Sequence, residues 1–131
     1  RMHYRVMPGL NSGLELRLSG KRASIFDLSL GGARILVGDN FRLSPGAILE
    51  GRLYIDGDSF EIRARLLRSW EEVLPSPARR PDSLHFATIQ FFLMSKELEH
   101  RLSQKIREIE RILRQKELDL RAVKEQRKKI P

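Results

Sequence analysis

The chain has 131 residues, 25 Lys and Arg against 17 Asp and Glu, a net charge of +8 and no cysteine. That length carries one domain with one core, and the missing thiols exclude a disulfide frame and thiolate chemistry. No apolar run approaches the ~20 residues of a membrane span, and no secretory leader is visible. The basic excess favours anionic partners such as nucleotides, nucleic acid or acidic lipid. It is +3 over residues 1–95 and +5 over 96–131, and in the second stretch a Lys-, Arg- and Glu-rich solvated helix accounts for it.

The chain opens on RMHYRV. Arg1 and Arg5 are four apart, a spacing that sets two guanidiniums on one side in either helical or extended backbone. Such forks take phosphate oxygens two at a time and match the O6/N7 edge of guanine. Residues 14–93 then read as β. Leu14, Leu16 and Leu18 alternate with Glu15 and Arg17, the period of a strand with one face on a core. FDLSLGGARI, Phe26 to Ile35, is a strand pattern broken by Asp27 and Ser29 and by Gly31-Gly32, and it resumes through Arg34 to Val37. Leu49, Leu53 and Ile55 alternate, as do Phe60, Ile62, Ala64 and Leu66, and IDGDSF between them is a hairpin turn whose Asp56-Gly57-Asp58 tolerates positive φ. Trp70 closes that pattern as a core residue or a helix contact. Three prolines between Val73 and Ser83 mark an exposed loop, and Leu84 to Leu93 is a last, more apolar strand. Short strands joined by turns predict a small antiparallel barrel or sandwich.

At Ser95 the period changes. Ser95 is the expected N-cap, although Leu98 stands where Glu would complete a capping box. Leu102, Ile106, Ile109, Leu113, Leu120 and Val123 follow at alternating four- and three-residue steps, with Lys116 in the missing apolar slot. This is a heptad stripe of about three heptads, marginal for a free coiled coil, so part of it is expected on the barrel. Ile112 and Leu118 lie outside the seam and would widen that face.

Asp27-x-Ser29-x-x-Gly32 carries the chemistry. Two apart in extended chain, Asp27 and Ser29 share a face and offer a carboxylate and a hydroxyl. A carboxylate matches the adjacent N–H donors of a guanine edge, while Gly31 and Gly32 let the backbone bend or a flat ligand approach. An isolated motif of this kind would simply cap a bulge or turn; the paired arginines shift the reading to a site for phosphate and guanine together. Arg22 and Arg34 flank the segment and widen its basic surface. His3, His85 and His100 are scattered and form no metal set.

RMHYR followed by DLSLGGARI resembles the PilZ domain, a bacterial receptor module for cyclic di-GMP described by an RxxxR motif and a D/N-x-S-x-x-G motif. The resemblance covers roughly residues 1–110. It implies a mainly β fold, a six-stranded antiparallel β-barrel over residues 1–95 with an arginine arm, followed by a long C-terminal α-helix over 96–131. It implies roles for Arg1 and Arg5 on phosphate and guanine and for Asp27 and Ser29 on a guanine edge, with Gly32 shaping the backbone and Gly31 and Arg34 as weaker contributors. Ala87 stands where relatives often have Gly. The expected function is a non-catalytic, cytoplasmic cyclic di-GMP receptor with no metal and no other cofactor, in which ligand orders the arm over the barrel and changes contacts with a protein partner or fused domain. The alternative is a structural module that assembles through the helix, as a homo-oligomer over residues 98–123, without binding nucleotide. Nucleic-acid binding, motivated by the charge, lacks a stacking platform and a reading helix. An enzyme lacks a nucleophile–base set or paired carboxylates.

Overall fold

The structure, a computed structural model, describes residues 6–8, 12–38, 44–74 and 82–129. Its strands are β1 (Leu14–Leu18), β2 (Lys21–Leu28), β3 (Gly32–Val37), β4 (Ile48–Ile55), β5 (Asp58–Leu74) and β6 (Asp82–Phe92), and one helix follows, α1 (Lys96–Lys129). The strands close into an antiparallel barrel in the order β1-β2-β3-β6-β5-β4, with β1 pairing β4 to complete the ring. Closure pairs every strand on both sides within the barrel.

The alternation seen in the sequence becomes the inside and outside of this barrel. Leu16 and Leu18, Leu53 and Ile55, and Ile62, Ala64 and Leu66 are buried, and the residues between them face outward. β4 turns into β5 through Asp56 and Gly57, at φ 50° and 90°, closed by the Ile55–Asp58 pair. This is the two-residue hairpin expected from Asp-Gly. The expected loop over 73–83 is shorter at both ends, because Val73 pairs Ser83 and Leu74 pairs Asp82; residues 75–81 lie outside those described.

Register slips occur between Ile25 and Asp27 in β2 and between Leu66 and Arg68 in β5. A bulge adds one residue and switches which parity faces the core. Trp70 is therefore neither core nor a helix contact. It lies on the outer wall, stacked on Phe86 with ring centroids 5.6 Å apart, and its indole N–H donates to Glu72 at 3.1 Å.

Ser95 caps α1 as expected: its Oγ accepts the Leu98 N–H at 3.1 Å. The heptad stripe divides. Leu98, Leu102, Ile106 and Ile109 join the barrel core, whereas Ile112, Leu113, Leu118, Leu120 and Val123 are exposed. Two cations fasten the docked half to the β4–β5 turn. Arg101 reaches Asp58 at 2.7 Å and the Ile55 carbonyl at 3.2 Å, and Lys105 reaches Asp56 at 2.8 Å and Glu108 at 3.3 Å. Lys105 is buried, and its ammonium is held above the ordinary value of 10.5. Burial alone would lower it; the hydrogen bonds and charges of Asp56 and Glu108 outweigh that.

Candidate functional site

Asp27 stands at the end of β2, directly after the bulge. Ile25 points into the barrel opposite Ile35, Asp27 pairs Arg34, and Leu28 pairs Ala33. Phe26 is the extra residue and is exposed, whereas Asp27 beside it is buried, at 8% exposure. Arg34 approaches the Asp27 carboxylate with its Nε at 3.4 Å and lies over the Phe26 ring at 5.8 Å.

β2 ends at Leu28, so Ser29 belongs to the turn rather than to the strand. The Ser29 N–H donates to the Gly32 carbonyl at 2.9 Å, and the hydroxyl donates to the same oxygen at 3.3 Å. Ser29 is buried. With its proton on Gly32 the hydroxyl keeps lone pairs that can accept an N–H from a ligand.

Gly32 is needed for a reason the motif does not announce. Its φ is not in the left-handed region. A Cβ there would drive into the Ile89 carbonyl oxygen and come within 3.2 Å of the Gln90 Cα on β6. Its missing side chain lets β3 pair Gln90 while the Gly31 carbonyl accepts the Phe91 N–H at 2.9 Å.

The N-terminal segment meets this corner. Val6 and Leu28 exchange both backbone hydrogen bonds, at 2.9 and 2.8 Å, and Val6 is 4% exposed. The residue that follows Arg5 in sequence is thus anchored on the one that lies between Asp27 and Ser29. Arg1 and Arg5 themselves lie outside the described residues. Asp27, Ser29, Gly31, Gly32 and Arg34 are brought together at one corner of the wall. Arg22 is not among them and pairs with Glu15 at 3.2 Å.

Sequence reasoning missed how the wall continues from this corner. Register carries Asp27 and Arg34 across to Thr88 on β6 and Arg68 on β5. Beside that row runs an aromatic one: Phe26 meets Phe86 edge-on at 5.8 Å, Phe86 stacks on Trp70, and Arg68 lies over Trp70 at 4.4 Å. Two bulges and a non-local strand pairing assemble these rows, and no local pattern signals either. Among the described residues, no three His, Asp or Glu side chains are grouped to hold a metal ion, and no helix is long and apolar enough to cross a membrane.

No family model matches the sequence, and no curated protein matches it significantly. Solved structures do match the fold. The PilZ domain of YcgR with c-di-GMP, from Escherichia coli, is 22% identical with a TM-score of 0.69, over 88% of this chain and 95% of that one. The MrkH–c-di-GMP complex from K. pneumonia is 22% identical with a TM-score of 0.62, over 98% of this chain and 55% of that one. The Bacillus subtilis inhibitor of motility MotI is 17% identical with a TM-score of 0.63, over 87% and 52%. The chain therefore spans nearly all of an isolated PilZ domain and about half of the longer MrkH and MotI chains.

Proposed function

We propose that this chain, whose barrel and helix have the PilZ fold, is a non-catalytic receptor for cyclic di-GMP, which it takes at the β2–β3 corner. The observation that carries the reading is the Val6–Leu28 bridge, which sets the residue that follows Arg5 in sequence against the Asp27–Ser29 corner. The fold neighbours described with c-di-GMP support the choice of ligand.

In this reading the Asp27 carboxylate accepts the N–H groups of a guanine edge, and the Ser29 oxygen accepts a further donor while its proton stays on Gly32. Arg1 and Arg5 supply forks for phosphate and for the guanine O6/N7 edge. Gly32 and Gly31 act through the backbone, keeping the turn flat against β6. Arg34, whose Nε lies 3.4 Å from the Asp27 carboxylate, turns to phosphate when guanine takes that carboxylate. Ordering of the arm on binding is the switch, and it alters the surface offered to a partner or fused domain.

Competition between cyclic dinucleotides tests the assignment. A carboxylate reader accepts the guanine N1–H and N2–H pair, and adenine offers no such pair. Cyclic di-GMP should displace a fluorescent cyclic di-GMP probe, and cyclic di-AMP should not. Equal displacement by both would remove Asp27 from the reading role.

A further inference from the structure

The helix face that holds the barrel continues beyond it. Leu98, Leu102, Lys105, Ile106 and Ile109 are buried. Leu113, Lys116, Leu120 and Val123 prolong the same three- and four-residue spacing and so the same face, yet Leu113, Leu120 and Val123 are 40, 62 and 47% exposed. After Ile109, α1 runs on to Lys129, an overhang of about 30 Å. A helix unsupported over that distance is marginal by itself. Where the overhang begins, a groove of about 590 Å³ opens between Met7 on the N-terminal segment and Ile109, Ile112 and Leu113 on the helix.

We propose that the overhang of a second copy occupies this face and groove, as an antiparallel two-fold pair. A seam with heptad spacing is complementary to another such seam. The direction follows from the fold. Because the docked and free residues share one face, a parallel pair in register would push the proximal half of each helix into the volume of the other barrel. Reversed, the barrels sit at opposite ends and only the overhangs meet.

Centred at the level of residue 118, Leu113 faces Val123 of the partner subunit and Lys116 faces Leu120 of the partner subunit. Val123 of the partner subunit then sits at the mouth of the groove. Glu110 comes level with Lys124 of the partner subunit, twice by symmetry. Glu117 and Asp119 approach their own copies near the axis, and the two Lys116 ammonium groups, set among them, offset that repulsion. The overlap is about two heptads, at the small end of specific interfaces, so association in the micromolar range is expected.

Sedimentation velocity over a wide concentration range, without nucleotide, tests the pair independently of the receptor reading. The parent should shift from monomer to dimer as concentration rises. Leu120→Asp combined with Val123→Asp should stay monomeric and should melt as the parent does at concentrations where the parent is monomeric, since both sites are exposed. The chain has no cysteine, so introduced thiols report orientation. Lys116→Cys mixed with Leu120→Cys should cross-link, and Lys116→Cys alone should not. A parent that stays monomeric, or a dimer that survives the double substitution, overturns the proposal, and efficient self-cross-linking of Lys116→Cys overturns the antiparallel arrangement.

Discussion

Gly32→Ala is expected to cost the barrel about 3 kcal/mol, and the reason is strand packing rather than ligand contact. The new methyl would enter the Ile89 carbonyl and crowd the Gln90 Cα. Both obstacles are backbone atoms of β6, so no side-chain rotation relieves them. The start of β3 must move away from β6. The hydrogen bonds at stake are Ser29 N–H to the Gly32 carbonyl at 2.9 Å, the Ser29 hydroxyl to the same oxygen at 3.3 Å, and Phe91 N–H to the Gly31 carbonyl at 2.9 Å. At about 1 kcal/mol net each, their loss sums to about 3 kcal/mol, a large share of the ~5–15 kcal/mol that holds a domain of this size. With a urea dependence of about 1–3 kcal/mol/M the midpoint should fall by about 1 M or more. Gly38→Ala is the control, since a Cβ there meets nothing within 4 Å among the described residues, and it should change stability by less than about 0.5 kcal/mol. A Gly32→Ala protein as stable as the parent would refute the packing argument, all the more so if it had lost ligand binding.

Other perturbations test the helix and the site. Leu102→Ala, at a position with no solvent exposure, should cost about 2–5 kcal/mol by urea unfolding; a loss under about 1 kcal/mol would mean that the helix does not cap the barrel. Lys105 is raised above 10.5 in the folded state by Asp56 and Glu108. Its stabilisation is therefore fully present below that pH and is lost as pH climbs through the raised value. The stability difference between the parent and Lys105→Met should be constant near neutrality and shrink above about pH 10.5. Curves that stay parallel to the alkaline end would contradict the buried pairing. Asp27→Ala should leave the melting temperature within a few degrees of the parent, because Asp27, although buried, pairs with an Arg34 whose side chain is 44% exposed and stays solvated when the carboxylate is gone; a collapse of the fold would make it a structural residue.

Much of the fold was legible because its signals are local. Alternation in β1, β4 and β5, the Asp56-Gly57 turn and the Ser95 cap each lie within a few residues, and the structure realises all of them. The order in which the strands close was not legible by such means, since β3 with β6 and β1 with β4 are pairings over long sequence separations. The resemblance carried the barrel where periodicity left a sandwich open. Trp70 was misplaced because a single bulge between Leu66 and Arg68 reverses the parity on which such readings rest. The division of the heptad stripe at Ile109 follows from the height of the barrel, and no pattern in the helix encodes that height. In the candidate site, Asp27, Ser29 and Gly32 could be picked out together as a motif, but the separate jobs of Ser29 and Gly32 within the turn depend on the approach of β6.

The central claim is tested most directly by calorimetric titration of the chain with cyclic di-GMP, with Arg5→Ala and Asp27→Ala alongside. The account predicts micromolar or tighter binding to the parent and a loss on the order of 2 kcal/mol, about thirtyfold, in each variant, as for removal of a charge-assisted contact. A folded parent that gives no binding heat, or two variants that bind as the parent does, would contradict it.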